Sequence, residues 1–114
     1  MDQSILGTIK KMLGVEDDSF DVEIIVHINA ALMQLGQLGI GSKEYFSVVD
    51  SSTEWSDFIS NKNLVSGAKD YVYVYVRTVF DPPTSSFVLA AMQEQLKEIG
   101  YRLSVEANKE GTKI

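Results

Sequence analysis

The sequence predicts an all-α fold, a small helical bundle whose two long C-terminal helices meet at an Asp-Pro-Pro corner, with one long irregular loop. Three observations predict it. Apolar residues recur three and four apart through most of the chain, the period of a buried helix face. Asp81-Pro82-Pro83-Thr84 interrupts that pattern with a hard stop. The one strand-like run, YVYVYV from Tyr71 to Val76, has no evident partner strand or hairpin turn beside it.

The first helix is expected over Gln3 to Leu13, where Ile5, Leu6, Ile9, Met12 and Leu13 keep helical spacing. Ser4 suits its N-cap and Gly14 its end. Glu16-Asp17-Asp18-Ser19 follows, with Asp18 or Ser19 as a natural cap and the carboxylates suited to the positive end of a helix dipole. The second helix is expected from Phe20 to Leu38. Val22, Ile25, Ile28, Leu32 and Leu35 give it one apolar face, widened by Ile24, Ala31 and Leu38. FDVEIIVHI alone fits a strand, but it runs on into NAALMQLGQLG, which favours helix; Gly36 and Gly39 weaken the last turns.

Gly39 to Thr53 is turn-rich and irregular. Ser52 or Thr53 is then placed to cap a short helix, Trp55 to Ser60, with Trp55, Phe58 and Ile59 on one side and Asn61-Lys62-Asn63 as its breaker. Leu64 to Phe80 is the next unit. Its residues satisfy two templates, period two and a helical face of Ala68, Val72, Tyr75, Val76 and Val79. A length of about 17 residues without a hard breaker favours helix. Beyond the prolines, Pro83 opens the last helix or Thr84 and Ser85 cap it, and it is expected to reach Ala107. Leu89, Met92, Leu96, Ile99 and Leu103 form a narrow seam of coiled-coil type, with Glu94–Lys97 and Glu98–Arg102 on the outer face. Gly67 and Gly100 read as local weak points. Residues 1–107 thus form one helical domain, and Asn108 to Ile114 is expected to be a flexible C-terminal tail.

The chain has 114 residues, 45% hydrophobic and 23% charged, which fits one ordinary globular domain. It has no cysteine, which excludes a disulfide framework and a thiolate zinc site and is compatible with a reducing compartment. A formal net charge of −6 argues against a conventional duplex-binding module, because such a surface repels phosphates. The start, MDQSILGTIKK, does not read as a secretory signal, and no segment approaches the roughly 20 apolar residues of a membrane span. The expectation is a soluble protein, cytoplasmic where it is made.

No catalytic, metal-binding or cofactor-binding constellation emerges. His27, the single histidine, sits among apolar helical positions and reads as structural, and no serine lies near it in sequence. Glu16, Asp17, Asp18 and Asp21 lack the alternating ligands, central glycine and terminal glutamate of an EF-hand loop, so helix capping is the better account. The glycines from Gly36 to Gly41 follow a helix rather than a strand and lack the lysine of a phosphate loop. Tyr71, Tyr73 and Tyr75 cannot share one helix face, since successive members are about 200° apart. At least one is expected to point away from the core, as ordinary surface tyrosine or as an oligomer contact.

YVYVYVRTVFDPPTSSFVLAAMQEQLKEIGYRLSVE resembles small phage head–tail connector proteins, of the head completion or adaptor kind, from tailed phages and prophages of Gram-positive bacteria. Asp81-Pro82-Pro83-Thr84-Ser85-Ser86 is its most specific part. The N-terminal half matches too: a short helix ending in Leu-Gly, an acidic stretch, INAALMQLGQLGIG, and the Trp55–Phe58 pair. The resemblance reaches to about Val105. It implies an all-helical fold, and therefore helix for Tyr71 to Val76. It also implies a structural assembly protein with no enzymatic activity, forming a ring beneath the portal, a dodecamer in the usual form. That ring extends the DNA channel and docks a stopper or tail completion protein. DNA would pass without sequence recognition, and mild repulsion by an acidic wall suits sliding. The expected location is the virion at the head–tail interface, with assembly in the host cytoplasm.

On this reading Asp81, Pro82, Pro83 and Thr84 are a structural corner that sets the angle between the two long helices. Tyr71, Tyr73, Tyr75, Tyr45, Phe46, Lys109 and Lys113 are candidate subunit or portal contacts, and the tail is a segment that orders on the portal. The alternative is a small acidic helical protein that binds and inhibits a host protein, for instance by mimicking DNA. A nuclease or lysozyme-like hydrolase is the enzymatic rival; the acidic residues permit it, but nothing positions them.

Overall fold

The computed structural model describes residues 4–41 and 46–111, with side chains described as far as Asn108. The described residues form α1 (Ile5–Leu13), a 3-10 turn (Asp18–Phe20), α2 (Asp21–Gln37), α3 (Trp55–Phe58), α4 (Lys62–Phe80) and α5 (Ser86–Gly111), with no strand beyond an isolated bridge between Ser4 and Glu54. The expected all-α bundle is observed, and YVYVYV is helical.

The ends of these helices follow their local chemistry. Ser4 Oγ accepts the Gly7 N–H at 3.0 Å and caps α1. Gly14 and Gly39 take positive φ, 78° and 88°. The next residue then donates back, Val15 N–H to Lys10 O and Ile40 N–H to Leu35 O, both at 2.9 Å. Two expected caps are corrected, and Asn61 gains a capping role. Asp17, not Asp18 or Ser19, accepts from the Ser19 N–H at 2.8 Å and caps the 3-10 turn that leads into α2. Glu54, not Ser52 or Thr53, caps α3, its N–H donating to Asp57 Oδ2 at 2.8 Å. Asn61 does not only break α3: its side chain accepts from the Asn63 N–H at 2.9 Å and starts α4.

Helix α4 lies at the centre, packed against α1, α2 and α5. Its neighbours α2 and α5 both run antiparallel to it. Phe20 meets Phe80 and Gln34 meets Tyr71 across α2 and α4, while Leu103 lies over Gly67 and Gly100 over Tyr71 across α4 and α5. This placement explains the tyrosine ladder. Tyr71 is buried, and Tyr73 and Tyr75 are half-buried against the core. A helix with neighbours on several sides buries successive 200° steps, so the expected outward-pointing tyrosine is not seen; the sides are filled by the subunit's own helices.

The buried face of α2 is Ile24, Ile28, Ala31, Leu32 and Leu35, all within the expected face and its widening, whereas Val22 is 79% exposed and Leu38 38%. Packing on α1 and α4 covers this face. Val79, expected in the core, is exposed in the last turn of α4, whereas Val74 is buried. Helix α5 continues to Gly111 rather than ending at Ala107. Its seam is present, with Leu103 buried and Leu89, Met92, Leu96 and Ile99 half-buried. The outer pairs form as expected, Lys97–Glu94 at 3.8 Å and Arg102–Glu98 at 2.7 Å. Gly67 and Gly100, read as weak points, prove to be points of close approach. A Cβ on Gly67 would lie 2.7 Å from Leu103 Cδ2, and one on Gly100 would lie 3.2 Å from the Tyr71 ring.

The irregular segment is held by side chains. Asn29 Oδ1 accepts the Val48 N–H at 2.7 Å and Asn29 Nδ2 donates to Val48 O at 3.1 Å. Val48 is itself buried, so the pair satisfies a backbone that would otherwise be desolvated without partners.

Candidate assembly surfaces

The corner between α4 and α5 is built by short-range polar contacts. Asp81 ends α4, its N–H donating to Arg77 O at 3.3 Å. The Arg77 guanidinium folds forward onto both the carbonyl and the carboxylate of Asp81. Pro82 and Pro83 cannot continue the ladder, and Ser85 Oγ accepts the Val88 N–H at 3.3 Å to open α5. Thr84 is exposed between them. The chain thereby reverses, and α5 returns along α4.

The candidate contact residues are scattered. Tyr71 lies inside the subunit, its hydroxyl donating to Gln34 Oε1 at 2.8 Å. Tyr73 and Tyr75 are half-buried and pack against the core. Phe46 is half-buried, its ring 5.0 Å from that of Phe58. Tyr45, Lys113 and the side chain of Lys109 lie outside the described residues. His27 is half-buried in α2. Among the described residues no group of three or more His, Cys, Asp or Glu side chains is arranged to hold a metal, and no helix is long and apolar enough to cross a membrane.

Burial, with a smaller contribution from nearby Tyr75, pushes the Tyr71 phenol above its ordinary value. The folded chain therefore keeps this proton where the unfolded chain has lost it. We expect stability to fall as pH rises past about 10, the ordinary phenol value, toward the raised folded value. Alkaline denaturation followed by circular dichroism checks this, and Tyr71→Phe flattens that part of the profile.

The surface also carries apolar groups, among them Val22 and Val79, which the sequence places on inward helix faces. Phe20 is 47% exposed, Val22 79% and Phe87 83%, and Val79 and Val88 are exposed beside them in sequence. Phe20 and Phe80 make an edge-on contact with centroids 5.6 Å apart, which ties the start of α2 to the end of α4. A sequence signal for Phe87 existed. It stands two residues before Leu89, the first seam position, and so about 200° from the buried face.

Among the described residues the regular elements are helices, a proline corner reverses two long ones, and several large apolar groups are exposed. The phage connector protein family matches the chain over residues 5–110, nearly its whole length. The chain belongs to the phage connector protein family. No curated protein and no solved structure matches it at significance. Membership gives this connector a structural role at the head–tail junction of a phage particle, where it works against other head or tail components.

Proposed function

We propose that this connector is a head completion adaptor that forms a ring beneath the portal, extends the DNA exit channel and docks a stopper or tail completion protein. The observation that carries the reading is the family match across residues 5–110. The subunit supports it with an antiparallel α4–α5 pair whose corner is tied by Arg77 and Asp81. Neighbouring subunits meet through heterologous contacts that close when the rotation permits, as a dodecamer matched to the portal. Tyr73, Tyr75 and Phe46, with Tyr45 in the same irregular segment, form part of these contacts. Lys109 and Lys113, with the rest of the segment beyond Ala107, contact the portal.

DNA passes through the ring without sequence recognition. A net charge of −6 fits a wall along which phosphates slide rather than bind. The protein works without catalysis, is assembled in the host cytoplasm and resides in the virion at the head–tail interface. Size-exclusion chromatography with light scattering tests this reading, using the chain alone and the chain with its purified portal protein. Co-elution with the portal in ring stoichiometry is expected. A chain that stays monomeric and ignores the portal contradicts it, and would instead fit an acidic inhibitor of a host protein.

A further inference from the structure

Two outward helix faces of the subunit carry no charge. On α2, Val22, Val26 and Met33 lie within about 40° of one another around the helix, on the side away from Ile24, Ile28 and Leu35. They are 79%, 60% and 63% exposed. Asn29 shares that face and holds Val48, so Val49, itself exposed, extends the stripe sideways. The four apolar side chains offer on the order of 400 Å² of surface, a size at which a patch on a monomer is often functional. No Asp, Glu, Lys or Arg occurs from Ile24 to Ser42.

The second face is the start of α5. Phe87 is 83% exposed, and Ala90 and Ala91 are exposed beside it, on the side away from Leu96 and Leu103. No charged residue occurs from Pro82 to Gln93. These are the two longest uncharged runs in a chain that is 23% charged. Further along α5 the exposed Tyr101 and Val105 stand instead among Lys97, Glu98, Arg102 and Glu106.

The absence of charge selects the occupant. A charge buried against either stripe would lose its water and meet no counter-ion, so each stripe needs an uncharged apolar partner. The chain meets that need itself, since each stripe is an uncharged surface for the other, and their shapes fit. Val26, Asn29, Ala30 and Met33 stand at i, i+3, i+4 and i+7, the four sides of a hole on a helix surface. Ala30 gives the hole a small-residue floor, and Phe87 projects as a knob beside Ala90 and Ala91. Pairing α2 with α2 of another copy leaves Phe87 uncovered on both, whereas pairing α2 with the start of α5 covers both stripes in one contact. We propose that copies of this connector meet head to tail, with Phe87 of one subunit seated over Ala30, between Val26 and Met33, of the next. The inference rests on the ring reading and names the surfaces that close the ring.

The chain has no cysteine, so introduced thiols report the contact directly. In the full chain, Ala91→Cys is mixed with Val26→Cys or with Met33→Cys, which lie one turn to either side of Ala30, and each mixture is oxidised with and without the purified portal protein. One of the two mixtures is expected to give a disulfide-linked pair, the corresponding double variant a ladder of higher multimers, and no single variant a link to itself. Phe87→Glu lowers the cross-link yield about tenfold or more with the circular dichroism of the subunit unchanged, since the side chain is exposed. Assembly of the unaltered chain persists at high salt, because no ion pair crosses the centre of the contact. Assembly or portal binding without either cross-link overturns the inference and leaves the ring reading standing. So does self-linking of Val26→Cys or Met33→Cys alone, which would mean that α2 pairs with α2. So does loss of portal binding in Phe87→Glu with self-assembly intact, which would mean that the portal covers Phe87. A chain that neither assembles nor binds the portal overturns both.

Discussion

Replacing Trp55 by alanine is expected to remove about 3–5 kcal/mol of stability, the range for truncating a large buried aromatic side chain. Trp55 is 1% exposed, on a helix of only four residues. Its indole N–H donates to Thr8 Oγ1 at 3.1 Å, so the side chain fastens α3 to α1, and Lys69 of α4 sits above its ring. Without it α3 keeps Phe58 as its buried anchor, and four residues cannot sustain a helix through their own hydrogen bonds. A domain of this size holds about 5–15 kcal/mol in total, so the loss is a large share. At about 4 °C or more per kcal/mol, the thermal midpoint falls by at least about 12 °C, read by circular dichroism. A fall of less than about 3 °C would mean that Trp55 does not organise the core. Trp55→Phe keeps much of the volume and loses the hydrogen bond, and should fall between.

Gly41→Ala is the second large effect. Gly41 has a φ of 78°, and a Cβ there would lie 2.6 Å from Phe58 Cε2 and 2.7 Å from Cζ. The left-handed backbone costs about 1–2 kcal/mol for a residue with a Cβ, and overpacking against a buried ring adds about 1–3 kcal/mol. We expect a combined loss of about 2–5 kcal/mol in urea denaturation. Gly39→Ala provides the control: its φ is 88°, but nothing lies within 4 Å of its added Cβ, so only the backbone cost applies. If the two variants are equally destabilised, steric contact with Phe58 contributes nothing. Because Phe58 also stacks on Phe46 in the irregular segment, Gly41→Ala should in addition weaken ring assembly through that segment.

The parts of this fold that are legible in the sequence are those fixed by neighbours along the chain. Ser4 and Gly14 bracket α1, Asp81 and the prolines end α4, and the seam from Leu89 to Leu103 marks the inner side of α5. What escapes is fixed by neighbours across the fold. Val22 and Ile24 are chemically alike, and only packing on α1 and α4 shows which one is buried. Gly67 and Gly100 look like helix weaknesses until Leu103 and Tyr71 are placed against them. The three tyrosines seem to need outside partners until α4 is seen to lie between its own helices. The candidate surface was the least legible. Tyr71, singled out for its pattern, is internal, whereas Phe87 drew no notice although its offset from the seam already places it on the outer face.

The central claim, a connector ring seated on the portal, is tested most directly by electron microscopy of the chain mixed with its purified portal protein. A closed ring of helical density on the tail-side face of the portal, coaxial with the DNA channel and containing one copy of this chain per ring position, is the predicted result. Portal particles that show no added density with the chain in excess would contradict it.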